Sequence, residues 1–428
     1  MDKFDVIIVG AGLAGLTAAY ILAQEGIEAV IVERGDYPGA KNVTGGRIYV
    51  NPIRQYLPDI WDDAPFERHV VNEMVTMMSP DNSTTIRYRS NQFAAEPHQS
   101  YTVLRANFDR WLAEKAEEKG AMLVAKNRVD DLIMENGKVI GVVAAGDELG
   151  ADVVIACDGV LSLTAEKAGL RTPGVPKNYA VGFKEVIELP RQTIDDRFCL
   201  SGDEGAAQLF MGSLTKGRFG GGFLYTNKNS LSLGMVVGIK DLMDNNNPVE
   251  APVLLEEFKS RPEIAPLIAG GELVEYSAHV VPEGGLAGMT RLIGDGILVA
   301  GDAAGFSLNM GLTVRGMEFA IASGAMAAKA VIDARAKNDF SAAGLSSYQR
   351  YLDESFVMKD FKTFRHAPHV LENPRFYNFY PKFAGDLFQE LYTIGDGPKG
   401  KLSSTIRSKL SFGELLRMAK DLRGGLKI

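Results

Sequence analysis

The chain has 428 residues, with 46 lysines and arginines against 54 aspartates and glutamates, so its formal net charge is −8. Apolar residues make up 46% and charged residues 23% of the chain, a balance that supplies a sizeable core and excludes disordered, collagen-like and low-complexity classes. The acidic balance argues against a nucleic-acid-binding protein, and two cysteines are too few for a disulfide framework, a four-cysteine zinc site or an iron–sulfur cluster.

Localisation and metal binding are predicted from patterns that the sequence lacks. No basic and apolar leader precedes the first predicted strand, and no run of about 18 apolar residues is present. Few cysteines are typical of a reducing compartment, so we expect a cytoplasmic protein. The five histidines show no convincing metal-binding spacing, and we predict no metal site.

The first predicted elements are a strand, a glycine-rich turn and a helix. Residues 4–9 form a nearly continuous apolar run, which is typical of a strand buried on both faces of a parallel sheet. A GxGxxG pattern follows, and residues 16–24 then predict an alanine-rich helix that closes at Gly26. A second apolar run, residues 29–32, predicts the next strand and ends at Glu33.

This order of elements predicts a dinucleotide-binding site. Gly10 permits the tight turn, Gly12 lets a pyrophosphate approach the backbone, and Gly15 allows close packing of the helix on the strand. The helix N-terminus offers unpaired N–H groups to the phosphates, and Glu33 is expected to accept hydrogen bonds from the adenosine ribose. Because an acid at this position disfavours a 2′-phosphate, we do not expect NADP.

Two later predicted strands also end in carboxylates. Residues 151–156 lead to Asp158-Gly159, and residues 296–300 lead to Gly301-Asp302. Since a strand-end carboxylate can hold a polyol, a site built from both strand ends and the glycine turn covers an extended ligand. This extent favours FAD over NAD, with a helix-capping role for Asp302 as the alternative.

Two helices are predicted beside these strand ends. Residues 101–112 predict a strand that runs into a helix, with Arg105 at the junction. There its guanidinium can meet a phosphate or the flavin edge, and a surface arginine is the alternative. After residues 311–313, a segment rich in alanine and glycine predicts a long helix over 314–332. Its N-terminus offers N–H groups where negative charge gathers on a reduced flavin.

Residues 170–290 predict a second, strand-rich domain. Strands are expected over 181–189, 207–211, 219–225, 230–239 and 273–281, with a helix over 254–260. We expect a mostly antiparallel sheet that packs over the flavin and walls an apolar pocket. The three glycines at 220–222 indicate either a twisted strand or bulge, or a close approach of backbone to substrate. Tyr276, His279 and Glu283 are the polar candidates for this pocket.

The C-terminal segment is rich in aromatic and basic residues. Residues 361–392 contain nine aromatic residues, which indicates either a core helix pair or a docking surface. Residues 399–428 carry eight basic and two acidic residues, so this segment has a charge of +6 and residues 1–398 carry −14. Apolar residues at helical spacing predict a basic amphipathic helix there, which lies on anionic lipid, binds an acidic protein or is a solvated tail.

These motifs together resemble known flavoproteins. The glycine turn, Glu33 and the two later strand ends resemble the FAD motifs of glutathione-reductase-type flavoproteins, in the arrangement of p-hydroxybenzoate hydroxylase. Four other stretches resemble the FixC family, whose members are homologues of electron-transfer-flavoprotein:quinone oxidoreductase in the geranylgeranyl-reductase-like superfamily. These stretches are residues 39–49, 220–227, 276–285 and 311–316.

The resemblance implies an α/β fold with three parts. The first is a discontinuous, Rossmann-like FAD-binding domain of the glutathione-reductase and p-hydroxybenzoate-hydroxylase type, from residues 1–75, 100–168 and 288–340. The second is an antiparallel-sheet substrate or quinone-pocket domain, from residues 76–99 and 169–287. The third, residues 341–428, is a C-terminal helical docking region rich in aromatic and basic residues.

The residues expected to bind FAD lie in these motifs and in the glycine-rich loop after the second strand, which the resemblance places near the isoalloxazine. They are Gly10, Gly12, Leu13, Ala14, Gly15, Glu33, Arg34, Gly45, Gly46, Arg47, Arg105, Val129, Asp158, Gly159, Gly301, Asp302, Gly311, Leu312 and Thr313. A positive group on that loop favours an anionic reduced flavin, with a solvated loop as the alternative. Catalysis is expected from the flavin itself, and the pocket candidates are Tyr276, His279 and Lys41.

The resemblance also implies partners. It implies an FAD-containing subunit that accepts electrons from an electron-transfer-flavoprotein-like partner, with its alpha and beta subunits, and passes them to a quinone, within an electron-bifurcating complex. Because Cys157 and Cys199 cannot hold the cluster that the larger oxidoreductase carries, a separate small ferredoxin-like iron–sulfur subunit is expected. A membrane surface is a further expected partner, reached from the inner face of the cell membrane. An FAD-dependent prenyl-chain (geranylgeranyl) reductase and a flavin-bound non-catalytic scaffold are the alternatives.

Overall fold

The computed structural model describes residues 2–41, 46–244, 246 and 248–428, without the side chains of residues 402, 405, 407 and 408. The expected cofactor-binding residue Gly45 lies outside the described residues. Strands of the described residues form two large sheets and one short hairpin. In chain order they are β1 Asp2–Val9, β2 Ala29–Val32, β3 Arg47–Tyr49, β4 His69–Met78, β5 Ser83–Arg89, β6 Ser100–Thr102, β7 Met122–Val124, β8 Val129–Glu135, β9 Lys138–Ala144, β10 Asp147–Ala156, β11 Tyr179–Glu188, β12 Glu204–Gly212, β13 Gly220–Thr226, β14 Ser230–Gly238, β15 Glu272–Pro282, β16 Ile293–Gly294, β17 Ile297–Val299, β18 Leu308–Asn309 and β19 Val314–Arg315.

Helices cover the sheets and make up most of the C-terminal segment. They are α1 Leu13–Gln24, α2 Asn91–Ala94, α3 Arg105–Glu118, α4 Leu163–Lys167, α5 Arg191–Phe198, α6 Ile239–Leu242, α7 Ala251–Lys259, α8 Ala265–Ile268, α9 Met317–Lys337, α10 Ser347–Glu354, α11 Phe356–Thr363, α12 Ala367–Leu371, α13 Phe379–Tyr392, α14 Leu402–Lys409 and α15 Phe412–Gly425. None of the described helices combines the length and the apolar character needed to cross a membrane.

The first sheet is built around parallel strands. Its order is β16-β17-β10-β1-β2-β7, and the hairpin β8-β9 extends it from β10. Strands β17, β10, β1, β2 and β7 are parallel neighbours. Val6, Ile7 and Ile8 are almost fully buried, as is typical of a central strand in a parallel sheet that is covered on both faces. Helices α1 and α9 pack so closely that a Cβ at Gly324 would lie 2.1 Å from the carbonyl oxygen of Ala14.

The second sheet is mostly antiparallel, as the sequence predicts. Its order is β15-β11-β14-β13-β12-β4-β6-β3, with β5 beside β4, and only β12 and β4 among these neighbours are parallel. Phe183, Phe210 and Phe258 are among the buried residues of its core. Residues 47–49, 69–75 and 100–102 belong to this sheet, although the sequence-based boundaries place them in the FAD-binding domain.

The C-terminal helices complete the predicted α/β architecture. Tyr348 of α10 and Phe361 of α11 are fully buried, and the Tyr348 hydroxyl donates to the carbonyl oxygen of Val299 at 3.0 Å. Phe361 packs against Phe306 and Phe319. Part of the aromatic segment 361–392 therefore belongs to the core around the first sheet.

Candidate functional site

A cavity of about 1300 Å³ is lined by residues of both sheets and of the C-terminal helices. The first sheet contributes the residues that follow the carboxyl ends of β1, β2, β10 and β17. The second sheet contributes β4 and β11 to β15. Open α/β sheets bind ligands at the carboxyl ends of their parallel strands, so this cavity is the candidate site.

The glycine-rich turn after β1 forms one wall of the cavity. Gly10 has φ +102°, and a Cβ there would lie 2.5 Å from the carbonyl oxygen of Cys157. A Cβ at Gly15 would lie 2.1 Å from the Gly10 carbonyl oxygen, so this glycine lets α1 pack against β1. Gly12 lines the cavity, and a Cβ there would meet no protein atom within 4 Å. No side chain caps α1, which leaves its first N–H groups available to an anionic ligand.

Glu33 is held at the end of β2 by backbone groups. Its carboxylate accepts hydrogen bonds from the N–H groups of Ala11 at 2.8 Å and Gly35 at 2.5 Å. It lines the cavity beside the exposed Arg34. Since an ionised carboxylate has about four acceptor positions, Glu33 can still accept bonds from ligand hydroxyls.

The two later strand ends bring further carboxylates to the same cavity. Asp158 accepts hydrogen bonds from the N–H of Thr164 at 2.9 Å and the hydroxyl of Ser162 at 3.3 Å, so it caps the start of α4 while it lines the cavity. Asp302 lies in the single helical turn Gly301–Ala304, which has no side-chain cap. Burial raises the pKa of Asp302 to about 6, and the positive charge of Arg105 opposes that shift.

Arg105 belongs to the cavity wall and its side chain is largely covered, so the surface-arginine alternative is wrong. Its side chain is 11% exposed, and its Nε and Nη2 donate to the Asp109 carboxylate at 2.8 and 2.9 Å. Its charge also contributes to lowering the pKa of His279, which also lines the cavity. Although its guanidinium is paired with Asp109, the charge of Arg105 still acts on the titration of Asp302 and His279 in the cavity.

The helix predicted over 314–332 begins later than expected. Val314 and Arg315 form β19, which pairs with β18, and α9 begins at Met317. β-Branched residues before Gly316 disfavour a helix, and the hairpin satisfies their backbone groups instead. Gly311, with φ +86°, and Leu312 line the cavity as part of the turn of this hairpin. The expected N–H groups of a helix start therefore do not lie at residues 311–313.

The loop after β2 contributes both charge and close packing. Lys41 is exposed and lines the cavity. A Cβ at Gly46 would lie 2.4 Å from the ring of Tyr225, so only glycine fits there. Arg47 lines the cavity, but its guanidinium is paired with the Glu73 carboxylate, with Nη1 to Oε2 at 2.8 Å. The charge of Arg47 is therefore balanced within the protein.

Only one of the two candidates on β15 reaches the cavity. His279 lines it, and burial followed by the positive charges of Arg105 and Arg34 lowers its pKa. Tyr276 is 49% exposed and lies outside the cavity lining. Because side chains alternate along a strand, two residues three positions apart face opposite sides of the sheet.

Glu283 lines the cavity immediately after β15. Burial raises the pKa of its carboxyl to about 7, and a hydrogen bond with the side chain of Asn309 opposes that shift. Asn309 and Tyr377 also line the cavity, and sequence reasoning missed both. The aromatic composition of residues 361–392 could have indicated Tyr377 as a lining residue, whereas no sequence motif includes Asn309.

The three glycines of β13 are required by packing within the second sheet. A Cβ at Gly220 would lie 2.1 Å from the carbonyl oxygen of Val236, and one at Gly221 would lie 2.5 Å from that of Phe210. A Cβ at Gly222 would lie 2.7 Å from the ring of Phe258. All three glycines also line the cavity, so they bring bare backbone to its wall.

Most of the other expected residues are also brought together here. Gly15 and Thr313 lie outside the cavity lining. The remaining expected cofactor-binding residues that line the cavity are Leu13, Ala14, Val129, Gly159 and Gly301.

The predicted C-terminal helix is present as α15 and closes one side of the cavity. Arg375 donates to Asp421 at 2.7 Å and to Glu414 at 2.8 Å, and the Tyr380 hydroxyl donates to Asp421 at 2.7 Å. Residues 425 and 428 line the cavity. The outward side of this region is apolar, with Phe412, Leu416, Leu422 and Leu426 between 57% and 79% exposed.

Three family models match the chain. Residues 3–201 match the FAD binding domain, residues 179–281 match the ubiquinone-binding model of ETF-QO, the electron-transfer-flavoprotein:quinone oxidoreductase, and residues 367–428 match the C-terminal domain of the ETF-QO/FixC family. The FAD match covers the glycine turn, Glu33 and Asp158, and the ubiquinone-binding match covers β11 to β14 and nearly all of β15.

Curated relatives cover the full length. The chain is 47% identical to the protein FixC of Escherichia coli K12 over 428 residues, which is 100% of this chain and 99% of the relative. It is 47% identical to the protein FixC of Salmonella typhi, covering 99% and 98% of the two chains. It is 46% identical to a probable electron transfer flavoprotein-quinone oxidoreductase of Escherichia coli K12, covering 98% and 97%.

Solved structures share the fold at lower identity. A geranylgeranyl bacteriochlorophyll reductase-like protein from Thermoplasma acidophilum aligns with a TM-score of 0.74 at 22% identity, covering 99% of this chain and 100% of that chain. A myxobacterial FAD-dependent chondrochloren halogenase aligns with a TM-score of 0.66 at 18% identity, covering 91% and 90%. The full-length identity, the family models and the site together show that the chain is an FAD-containing, flavin-dependent oxidoreductase that belongs to the FixC family.

Proposed function

We propose that this chain accepts electrons from an electron-transfer-flavoprotein-like partner and passes them through FAD to a quinone. The observation that carries the proposal is one continuous cavity that joins the dinucleotide motifs to the walls of β11 to β15. Its volume of about 1300 Å³ exceeds the roughly 300–1,000 Å³ of a typical small-molecule site. The size supports two ligands side by side, with the cofactor against the first sheet and the quinone against the second.

FAD is held at the carboxyl ends of the first sheet in this proposal. Gly12 and the start of α1 take the pyrophosphate, Glu33 takes the adenosine ribose, and Asp302 takes the polyol of the flavin half. The open space before Gly12 and the uncapped helix start support the fit of these residues to the group. When bound, FAD supplies the redox chemistry, and the chain supplies binding, orientation and electrostatics.

The cluster-bearing partner is proposed to be a separate ferredoxin-like subunit. Cys157 is buried and Cys199 is exposed, and both are free thiols. Two thiols 42 positions apart supply too few ligands for a cluster, which needs about four thiolates. We place this chain with that subunit and the two flavoprotein subunits in a complex that bifurcates electrons.

Quinone is proposed to enter near α15, on the inner face of the cell membrane. This helix has an outward apolar side and carries Arg417, Lys420 and Arg423. Such a helix binds at a lipid interface through apolar burial and attraction to anionic headgroups. Residues 425 and 428 line the cavity, so the quinone is delivered close to its site.

The experiment is anaerobic mixing of the dithionite-reduced holoprotein with two acceptors. Oxidation by a soluble short-chain ubiquinone, and not by a geranylgeranyl lipid, supports the proposal. The reverse result overturns it in favour of a prenyl-chain reductase. No oxidation by either acceptor, with the flavoprotein and ferredoxin-like partners present, overturns it in favour of a scaffold.

A further inference from the structure

We propose that Glu283 is the residue that delivers a proton to the quinone oxygen as the quinone is reduced. The inference rests on the proposed quinone reductase function and names a catalytic residue within it. Quinone reduction to quinol takes up two protons, and a positioned side chain that transfers a proton to the reacting oxygen speeds such a step.

The position of Glu283 suits this role. It follows directly after β15, at the end of the sheet that walls the proposed quinone side, and it lines the cavity. Its N–H donates to the carbonyl oxygen of Asn178 at 2.8 Å, which fixes its backbone. Tyr377 packs beside Phe219 on the same side of the cavity, and burial, followed by the negative charge of Glu283, raises the pKa of that tyrosine.

Asn309 connects Glu283 to the hairpin beside the proposed flavin site. The Asn309 Oδ1 accepts a hydrogen bond from the N–H of Gly311 at 2.9 Å. This bond fixes the orientation of the amide, so its NH₂ group is left to donate to the Glu283 carboxyl. Glu283 is therefore tied to Gly311, which lines the part of the cavity assigned to FAD.

The electrostatics keep Glu283 able to both give and take a proton. No ion pair within the described part of the chain involves Glu283, and burial raises its pKa to about 7. A general acid works best when its pKa lies near the operating pH, because both protonation states are then available. Two cationic side chains of the cavity lining are paired with carboxylates other than Glu283, Arg105 with Asp109 and Arg47 with Glu73.

The proposed step is balanced in electrons and protons. Two electrons and one proton leave the reduced cofactor, and the second proton leaves the Glu283 carboxyl. Both protons end on the two quinone oxygens, which gives the quinol. Glu283 is then an ionised carboxylate and takes up a proton from solvent before the next turnover.

The test compares Glu283→Gln with the matched control Glu272→Gln, an exposed carboxylate at the start of β15. We expect Glu283→Gln to keep its FAD and to slow reoxidation by short-chain ubiquinone by at least about 100-fold, with little change in the concentration at half-maximal rate. Reoxidation by ferricyanide, which takes electrons without protons, is expected to stay at the wild-type rate. Equal slowing with both acceptors overturns the inference, because it indicates a structural defect.

A second variant and a spectroscopic measurement give independent checks. Asn309→Asp keeps an oxygen to accept from the Gly311 N–H but removes the donor that lowers the pKa of Glu283. The pH dependence of the rate of reoxidation by ubiquinone is therefore expected to shift to higher pH. In the oxidised wild-type holoprotein, one component of the infrared band of protonated carboxyl groups is expected to disappear as the pH rises, with a midpoint near pH 7. The Glu283→Gln variant is expected to lack this component. An unchanged profile or an unchanged band overturns the inference.

The outcomes separate the two proposals. If ubiquinone fails to oxidise the wild-type protein, the proposed function fails. If ubiquinone oxidises the wild-type protein and Glu283→Gln equally fast, the proposed function stands and the role of Glu283 is rejected.

Discussion

At the scale of single residues, two glycines of the same turn have separable roles. A Cβ at Gly15 meets backbone at 2.1 Å, whereas a Cβ at Gly12 meets open space in the cavity. We expect Gly15→Ala to lower the free energy of unfolding of the FAD-free protein by about 2–3 kcal/mol through overpacking. Gly12→Ala is expected to change it by less than about 1 kcal/mol and to weaken FAD binding at least about tenfold by a clash with the ligand. Urea denaturation and titration of flavin fluorescence measure the two effects, and strong destabilisation by Gly12→Ala would contradict this division.

The proposed contact of Asp302 with FAD predicts a link between cofactor binding and the pH dependence of stability. Its pKa in the folded protein, about 6, lies above its ordinary value of 3.8, so the folded FAD-free protein holds this proton more tightly than the unfolded chain. The ionised carboxyl therefore lowers stability as pH rises from about 4 to 6, by at most about 3 kcal/mol. We expect Asp302→Asn to raise the free energy of unfolding at pH 7.5, to leave it unchanged at pH 3.5 and to weaken FAD binding. Denaturation of the FAD-free wild-type and variant proteins at both pH values measures the change in the free energy of unfolding. An increase of equal size at pH 7.5 and pH 3.5 would contradict the assignment to Asp302.

At the scale of elements, α15 is attached by a small set of polar contacts. Asp421 accepts hydrogen bonds from Arg375, Tyr380 and Asn373, and these bonds lower its pKa although burial opposes them. A lowered pKa means that this attachment contributes stability above about pH 4 and loses it in stronger acid. The helix is therefore tied to the body most firmly at neutral pH.

Asp421→Asn is expected to loosen α15 without unfolding the body. The change leaves the Arg375 guanidinium, which is 18% exposed, without one of its two carboxylates, a loss of about 2–4 kcal/mol for a partly buried pair. Trypsin is then expected to cut within α15 at least about tenfold faster than in the wild-type protein. Asp386→Asn is the control, because Asp386 pairs with Lys382 at an exposed position of α13. Equal cleavage of the two variants would contradict the role of Asp421.

The sequence predicted an element correctly where its local sequence pattern and its packing in the fold favour the same structure. Strand β2 lies at the predicted 29–32, since an apolar run bounded by a glycine turn is both locally and globally a buried strand. Helix α9 begins later than predicted because the β-branched residues before Gly316 pair in the β18-β19 hairpin, which the alanine- and glycine-rich composition of the segment did not indicate. Tyr276 lies outside the cavity lining although the sequence analysis placed it in the pocket, because residue type alone does not indicate which face of β15 meets the cavity. Asn309 could not be predicted, since its place in the cavity wall depends on its contacts with Gly311 and Glu283, and no sequence motif indicates them.

At the scale of the whole molecule, charge is divided between body and tail. Residues 399–428 carry +6 and residues 1–398 carry −14, and the basic residues accompany the exposed apolar side of α15. We expect the holoprotein to bind vesicles containing anionic lipid and to be released as ionic strength rises. Lys420→Glu with Arg423→Glu is expected to weaken binding at least about tenfold, by about 1 kcal/mol per basic residue. Lys329→Glu with Lys337→Glu, at two exposed positions of α9, is the control with the same change in net charge, and equal loss in both proteins would contradict a site on α15.

The cavity wall also constrains how the holoprotein is made. Gly10 and Ile428 both line it, 418 positions apart in the chain. The central parallel sheet likewise joins β1 to β10 and then to β17. A ribosome that has released the glycine-rich turn must therefore still translate these 418 positions before the opposite wall exists. FAD loading into a site with both walls in place is consequently a late step of biogenesis, after residue 428 has been synthesised and α15 has docked.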